Sequence, residues 1–324
     1  MTELSIVFMG TPDFAVSSLR ALLDAGYRVV AVVTQPDRPI GRKRELAPTP
    51  VKAEALKHGI PVLQPERVRH PEAIAEIAHY NPDLIVTAAY GQLVPKAILD
   101  MPRHGCINVH GSLLPKYRGG APIQYAIMNG EPVTGVTLMY MAEGLDTGDM
   151  ISKVEVPIGD DDTSGTMFDK LSVAGAELLV RTLPDLIADR IQPQPQNHAE
   201  ATYSPTIKRE QEQIDWGRSS LELFRLIRAL NPRPGAYTTW NGDNFKIFAS
   251  HKPKDTSTLP SIYCPGTVLQ IEDSGIEVQT GAGTLWLTVV QPAGKKAMDV
   301  PSFRRGGQLQ PGAVFGEIDA TYHN

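Results

Sequence analysis

The sequence predicts an α/β protein with a doubly wound, mostly parallel sheet, followed by a small β-barrel domain. Two short apolar runs, residues 4–9 and 84–88, are typical of strands buried on both faces of a parallel sheet. Segments with helical spacing alternate with such runs, as in strand–helix–strand units. After a helix predicted over 219–230, the chain changes to short strands separated by regular turn signals, a pattern typical of small barrels.

The first unit opens with a strand over residues 4–9, a helix over 14–24 and a second strand over 28–34. The turn between the first strand and the helix begins Gly10-Thr11-Pro12 and lacks the G-x-G-x-x-G spacing of dinucleotide-binding folds. We therefore do not expect a nicotinamide cofactor.

The rest of this unit continues the alternation. Thr49 is a possible N-cap for the helix that follows it, and Gly59 is its stop signal. Pro184 is expected to kink the long last helix. Helices are predicted over 51–58, 71–80, 93–99, 121–128 and 164–190, and strands over 62–63, 84–88, 105–110, 133–141 and 150–156.

The alternating Gln and Pro residues after position 191 predict an extended, semi-rigid connector between two domains. We assign residues 1–190 to a catalytic domain, 191–207 to the linker and 208–324 to a C-terminal domain. Strands in that last domain are predicted over 236–240, 245–250, 266–271, 276–280 and 285–290.

Composition argues against several classes of protein, namely nucleic-acid-coating, disulfide-rich, metal-binding and membrane-spanning proteins. A chain of 324 residues with 42% hydrophobic residues can bury a sizeable core, and a net charge of −5 argues against a general nucleic-acid-coating protein. Cys106 and Cys264 lie far apart without metal-ligand spacing, so we expect neither a disulfide framework nor a metal site. No apolar run approaches a membrane span and no leader is evident, so we expect a cytoplasmic protein.

The stretch with the clearest chemistry is Asn-Val-His-Gly-Ser-Leu-Leu-Pro, residues 108–115. Asn108 and His110 lie two residues apart near the end of a predicted strand, so their side chains point to the same face. An amide can donate a hydrogen bond to a developing oxyanion, and an imidazole can accept or donate a proton. Acyl transfer requires both of these functions. Such a pair alone is more often a structural hydrogen-bonding feature than a catalytic one.

This stretch resembles the signature of the 10-formyltetrahydrofolate-dependent formyltransferases. The resemblance implies that Asn108 and His110 are catalytic, and that Ser112, Leu113, Leu114 and Pro115 line the folate site. It also implies a catalytic aspartate in the later loop Gly-Leu-Asp-Thr-Gly-Asp, at Asp146. Composition does not separate Asp146 from Asp149; the family pattern selects Asp146.

A second unusual stretch covers residues 35–50, a long segment rich in Pro and basic residues. Most charge runs are solvated surface, although cations on a projecting loop can also contact phosphates. The wider sequence is similar to those members of the family that act on methionyl-tRNA, in which a loop at this place meets the acceptor end. The resemblance matches Arg42 to a functional arginine and makes its basic neighbours candidate tRNA contacts: Arg38, Lys43 and Arg44.

The resemblance implies a Rossmann-like catalytic domain and an OB-like barrel. It also implies formyl transfer from 10-formyltetrahydrofolate to the α-amino group of methionine on initiator tRNA. We further expect a monomer that needs no metal. The alternatives are a folate-dependent formyltransferase for an amino sugar or purine precursor, a hydrolase that releases formate from the same folate, and a non-catalytic RNA-binding protein.

Overall fold

A computed structural model describes residues 4–40, 45–254 and 262–316 of the chain. The chain forms two compact units. The first comprises Met1–Pro122, Val133–Pro157 and Phe168–Pro205, and the second comprises Ile123–Pro132, Ile158–Met167 and Thr206–Asn324.

A seven-stranded sheet forms the first unit. Its spatial order is β5-β2-β1-β6-β7-β8-β9, in which the first five strands pair parallel with one another and β8 pairs antiparallel with both β7 and β9. This arrangement confirms the doubly wound, mostly parallel sheet. The strands are β1 Ser5–Gly10, β2 Arg28–Val33, β3 Arg38–Ile40, β4 Glu45–Ala47, β5 Val62–Leu63, β6 Leu84–Ala88, β7 Cys106–His110, β8 Val133–Tyr140 and β9 Met150–Pro157, of which β3 and β4 form a separate hairpin.

Helices connect these strands. Thr49 caps α2 as predicted, because its hydroxyl accepts a hydrogen bond from the Lys52 amide. The helices are α1 Asp13–Asp24, α2 Pro50–Lys57, α3 Pro71–His79, α4 Lys96–Leu99, α5 Pro122–Met128 and α6 Ser164–Ile187.

The sheet is buried on both faces where it is parallel. Every residue of β6 is buried, as its continuous apolar sequence predicts. Gly175 lets α6 approach the sheet closely, because a Cβ at that position would lie 2.9 Å from Val109 Cγ1. The carboxyl ends of β1, β6 and β7 meet at one edge, where open α/β sheets bind ligands.

Three local predictions need correction. Residues 35–50 are not wholly a loop, because β3 pairs antiparallel with β4. The helix expected over 93–99 is the single turn α4, which starts after Pro95, a residue that cannot donate a backbone hydrogen bond. The long helix ends at Ile187 rather than Arg190 and contains Pro184 within it.

The segment read as a linker forms hydrogen bonds with the first unit. The Gln194 and Met150 backbones exchange two hydrogen bonds, and the Arg118 amide donates to the Thr202 carbonyl at 2.9 Å. Backbone groups that would otherwise face water are therefore paired with the loop after β7 and with the start of β9.

An antiparallel sheet dominates the second unit, in the order β10-β11-β14-β13-β12, with β15 also paired to β14. The segment 312–316 hydrogen-bonds to β12 and, through the Gly316 amide, to Thr239 of β10, so it joins the two edge strands. The elements are α7 Arg209–Glu212, α8 Ser220–Ala229, β10 Ala236–Trp240, β11 Asp243–Ser250, β12 Val268–Glu272, β13 Gly275–Gln279, β14 Thr284–Gln291, β15 Met298–Asp299 and α9 Val300–Arg304.

Candidate active site

Asn108 lies near the end of β7, beside the neighbouring strand β6. The Thr87 hydroxyl on β6 donates to Asn108 Oδ1 at 2.8 Å. This contact fixes the carboxamide with its oxygen toward the sheet. Its Nδ2 hydrogens then point away from Thr87, and no hydrogen bond is found for them among the described residues. The side chain can therefore donate to an oxyanion outside the sheet.

His110, two residues further along β7, is buried. Its Nε2 lies 3.0 Å from the Tyr117 carbonyl oxygen. A carbonyl only accepts, so Nε2 carries a hydrogen, and neutral His110 has its lone pair on Nδ1. Nδ1 is the nitrogen that faces Asp146, at 3.7 Å from Oδ2. A proton taken up by His110 would therefore reside on the nitrogen next to a carboxylate.

Asp146 lies in the loop between β8 and β9, with its backbone in the left-handed region at φ +49°. Its Oδ2 also accepts from the Gly119 amide at 2.7 Å. Gly119 has φ +120°, and a Cβ there would lie 2.7 Å from the Ser204 carbonyl oxygen, so only glycine fits this approach. His110 and Asp146 therefore face each other, with Asn108 two residues before His110 on the same strand, whereas the Asp149 side chain is exposed.

The loop over residues 112–115 is held largely by its own polar groups. Ser112 is fully buried and donates its hydroxyl hydrogen to the Lys116 carbonyl at 2.7 Å. Leu114 is also buried, and its amide donates to Thr137 Oγ1 at 3.1 Å. Leu113 and Pro115 are only partly buried. The side chains of Ser112 and Leu114 thus shape the loop, and the partly buried side chains of Leu113 and Pro115 remain to contact a ligand.

Lys153 on β9 supports the same loop. Its Nζ donates to the Leu114 carbonyl at 2.5 Å. Burial lowers the pKa of Lys153. Cys106, at the start of β7, is a buried thiol whose pKa is raised by burial to about 12, which makes it an unreactive packing residue.

The basic segment is described only in part. Arg38 lies on β3 with an exposed side chain, while Arg42, Lys43 and Arg44 lie outside the described residues. The two ends of the hairpin meet at its base, where Lys52 Nζ lies 2.5 Å from Asp37 Oδ2 and 2.8 Å from Gln64 Oε1. The hydrogen bond from Lys52 lowers the pKa of Asp37.

The described part of the chain contains neither a metal-binding cluster nor a membrane-spanning helix. No group of three or more His, Cys, Asp or Glu side chains there is arranged to hold a metal ion. Among the same residues, no helix is long and apolar enough to span a bilayer.

Comparison with known families connects this geometry to an enzyme class. The family model described as formyl transferase matches residues 4–183, and the one described as formyl transferase, C-terminal domain, matches residues 206–308. The chain belongs to the formyl transferase family. The two matched regions correspond to the parallel sheet and to the antiparallel sheet.

Close relatives of this formyl transferase share nearly its whole length. Methionyl-tRNA formyltransferase of Bacillus subtilis is 59% identical over 312 residues, which cover 96% of this chain and 97% of the relative. The enzyme of the same name from Geobacillus thermodenitrificans is 57% identical over 316 residues, covering 97% and 98%.

Solved structures with the same fold are more distant in sequence. A sugar 3N-formyl transferase, WlaRD, has a TM-score of 0.64 at 19% identity and covers 91% of this formyl transferase and 100% of its own chain. HypX of Aquifex aeolicus, solved with tetrahydrofolic acid, has a TM-score of 0.61 at 20% identity; 94% of this chain is covered, but only 47% of HypX. The chain thus spans about half the length of HypX, and these likenesses establish the fold alone.

Sequence analysis missed several residues that build the site of this formyl transferase. Thr87 and Tyr117 orient Asn108 and His110, and Gly119 binds Asp146. Arg118 and Gln196 lie buried behind the Asp146 loop. Tyr117, Arg118 and Gly119 follow the recognised signature directly, so their proximity to it was a usable signal. Gln196 lies in the segment read as a linker, and nothing local distinguishes it there from its neighbours.

Proposed function

We propose that this formyl transferase moves a formyl group from 10-formyltetrahydrofolate to the α-amino group of methionine on initiator methionyl-tRNA, a step that serves translation initiation. The observation that carries this proposal is the pairing of His110 with Asp146, with Asn108 two residues away on the same strand, in a chain that matches methionyl-tRNA formyltransferases over nearly its full length. Folate is the donor class that the family resemblance implies, and the crevice at the carboxyl ends of the strands is where it would bind.

The proposed reaction is direct. The amine nitrogen attacks the formyl carbon to form a C–N bond, and the carbonyl oxygen becomes an oxyanion to which Asn108 Nδ2 donates. One oxyanion donor typically lowers the barrier by about 2.7–4 kcal/mol. The bond from the formyl carbon to folate N10 then breaks, and that nitrogen takes up a proton.

The amine must lose a proton during the attack. His110 Nδ1 is the available basic position, since Nε2 already donates to the Tyr117 carbonyl. Asp146, 3.7 Å away, stabilises the imidazolium that results. The charged His110 then also stabilises the nearby oxyanion. No covalent enzyme intermediate is needed, which agrees with the absence of a nucleophile signature around these residues.

The tRNA would be held by two regions. The first is the basic segment over residues 35–50, through Arg38, Arg42, Lys43 and Arg44. The second is the C-terminal antiparallel sheet, which we infer to be an OB-like barrel because the segment 312–316 bonds to both of its edge strands. Binding through phosphate contacts should weaken steeply with added salt. We propose a cytoplasmic, monomeric enzyme that needs no metal.

The test is a formyl-transfer assay with 10-formyltetrahydrofolate as donor and three acceptors: charged initiator tRNA, free methionine and an amino sugar nucleotide. We expect efficient transfer only to the charged tRNA. Equal transfer to free methionine or to the amino sugar would reject the tRNA assignment. Release of formate without any acceptor would instead indicate a hydrolase.

A further inference from the structure

The buried side chain of Gln196 joins three segments that are far apart in the sequence. Gln196 is 5% exposed. Its Nε2 donates to the carbonyl oxygens of Asp146 at 2.8 Å and Gly148 at 2.7 Å. Its Oε1 accepts from Arg118 Nε at 3.1 Å and from Arg118 Nη2 at 2.6 Å. Both Nε2 hydrogens and both acceptor positions of the amide are therefore used.

Arg118, the partner of Gln196 Oε1, is 2% exposed. Its Nη2 also lies 3.1 Å from His198 Nδ1, which must accept because a guanidinium has only donors. A buried guanidinium requires such acceptors, since leaving its N–H groups unpaired costs free energy. Gln196 and His198 come from the same stretch of the chain, so the Pro-rich segment supplies neutral acceptors for this charge.

The contacts form a closed circuit around the candidate catalytic aspartate. The main-chain carbonyl of Asp146 binds Gln196, Gln196 binds Arg118, and the next residue, Gly119, donates its amide to Asp146 Oδ2. The Asp146 carboxylate is therefore held by Gly119 and its carbonyl by Gln196, and Arg118 links these two supports. Asp146 has φ +49°, a backbone conformation that L residues seldom adopt and that persists only where the surroundings impose it.

We propose that Gln196 is a positioning residue for formyl transfer: its two donated hydrogen bonds fix the Asp146 loop so that Oδ2 faces His110 Nδ1. This inference rests on the proposed function only for its kinetic consequence. Gln196 touches none of the candidate reacting groups, so its effect passes through the Asp146 backbone.

The decisive variant is Gln196→Glu. A glutamate of the same shape keeps an acceptor for Arg118 and adds an opposite charge, but it loses both donors toward the Asp146 and Gly148 carbonyls. We expect the variant to remain folded with a melting temperature somewhat below that of the parent enzyme, because two buried carbonyls lose their donors while the new charge opposite Arg118 offsets part of that cost. We expect kcat to fall about 10- to 100-fold, because a misplacement of about 1 Å in a catalytic group can cost 10²-fold. The KM values for folate and tRNA should change less than twofold, and the pH profile of kcat should shift.

Gln194→Glu is the matched control. Gln194 lies two residues away with an exposed side chain, and only its backbone bonds to Met150. This variant adds the same charge to the same segment and should leave kcat and its pH profile unchanged. If Gln194→Glu lowers kcat as much as Gln196→Glu, any negative charge added to the Pro-rich segment has this effect, and the positioning role of Gln196 is rejected.

A crystal structure of Gln196→Glu separates this proposal from the proposed function, because it needs no activity. We expect the distance from Asp146 Oδ2 to His110 Nδ1 to exceed the 3.7 Å of the parent. An unchanged distance, or an unchanged kcat in an enzyme that formylates charged tRNA, overturns the positioning role. A parent enzyme that formylates no charged tRNA, together with a displaced Asp146 in the variant, overturns the proposed function and leaves the positioning of the loop supported.

Discussion

Two regions of the first unit differ in how their side chains are held: the strand-end site (Asn108, His110 and Asp146) and the hairpin formed by β3 and β4. At the strand end, His110 is buried, and each candidate catalytic side chain has at least one defined hydrogen-bond or ion-pair partner. On the hairpin, Arg38 and Glu45 are exposed, and the side-chain contacts that hold the two ends together lie at the base, through Lys52, Asp37 and Gln64.

This difference matches the two functions proposed for these regions, oxyanion stabilisation and RNA binding. Stabilising an oxyanion requires donors that are already oriented when charge develops, since reorientation would add to the barrier. Contacting an RNA backbone requires positive charge within reach of phosphates, and exposed long side chains supply that with little preorganisation. Substitutions should therefore change kcat at the strand end and acceptor-dependent KM on the hairpin.

The largest effect is expected from Asn108→Ala. Removing the oriented amide should lower kcat about 10²- to 10³-fold, as for other single oxyanion donors. Thermal unfolding should show a folded protein. Steady-state kinetics with saturating folate and charged tRNA measures the loss. Thr87→Val, which removes the orienting hydroxyl but keeps the amide, should lower kcat less, and Thr87→Ser should restore it. Near-normal turnover of Asn108→Ala would remove this residue from the reaction.

The second prediction compares two aspartates of one loop. Asp146→Asn should lower kcat about 10²-fold, a typical loss for an acid–base partner, because an amide cannot stabilise the His110 imidazolium as a carboxylate does. Asp149→Asn should change kcat less than twofold, since that side chain is exposed. The pH dependence of kcat, measured for both variants, should change only in the first. Equal losses would show that sequence similarity selected the wrong aspartate or that both act together.

The parallel sheet and the candidate catalytic residues could be predicted because their signals are local. Leu84–Ala88 is a continuous apolar run, and its strand has the predicted bounds. Asn108 and His110 share a face because side chains alternate along a strand. The short distance between His110 and Asp146 has no such local signal, because it depends on the pairing of β7 with β8 and on the loop after β8. Only the family resemblance suggested that these two residues lie close together.

Other features could not be predicted because they depend on tertiary contacts. The β3–β4 hairpin contains Pro39 and many charged residues, a composition that favours a loop, yet its ends are joined by Lys52 and Asp37. The segment after residue 191 has the composition of a free connector, but its backbone pairs with Met150 and Arg118. Where polar residues show no periodicity, the local sequence does not indicate which distant groups will pair with their hydrogen-bonding groups.

In the basic segment 35–50, Arg42→Ala should raise the KM for charged tRNA about tenfold, as expected for one lost charge-assisted contact, while kcat at saturating tRNA changes little. Folate affinity, measured by fluorescence titration, should be unaltered. Arg67→Ala, a change at an exposed arginine of the same unit, serves as the control and should have no effect. The slope of log affinity against log salt should fall by about one in Arg42→Ala if that side chain binds a phosphate. Loss of folate affinity would assign Arg42 to the donor site instead.

The smallest effect is expected at the base of the hairpin. Lys52→Met removes the contacts to Asp37 and Gln64 that join its two ends. We expect the KM for charged tRNA to rise about threefold with kcat unchanged, since loosening a loop costs mainly ordering free energy on binding. Lys57→Met, at a lysine that contacts Glu54 rather than the hairpin, is the matched control and should have no effect.

The pH dependence follows from the pKa of Asp37, which the hydrogen bond from Lys52 lowers. The Lys52–Asp37 ion pair is therefore fully formed above the usual pKa range of a carboxylate and is lost only as the pH falls below that range. The threefold difference should therefore stay constant between about pH 6 and 8, where the Asp37 carboxylate keeps its charge. A fall in kcat rather than a rise in KM would show that the hairpin base supports the strand-end site, and the separation between the two regions would not hold.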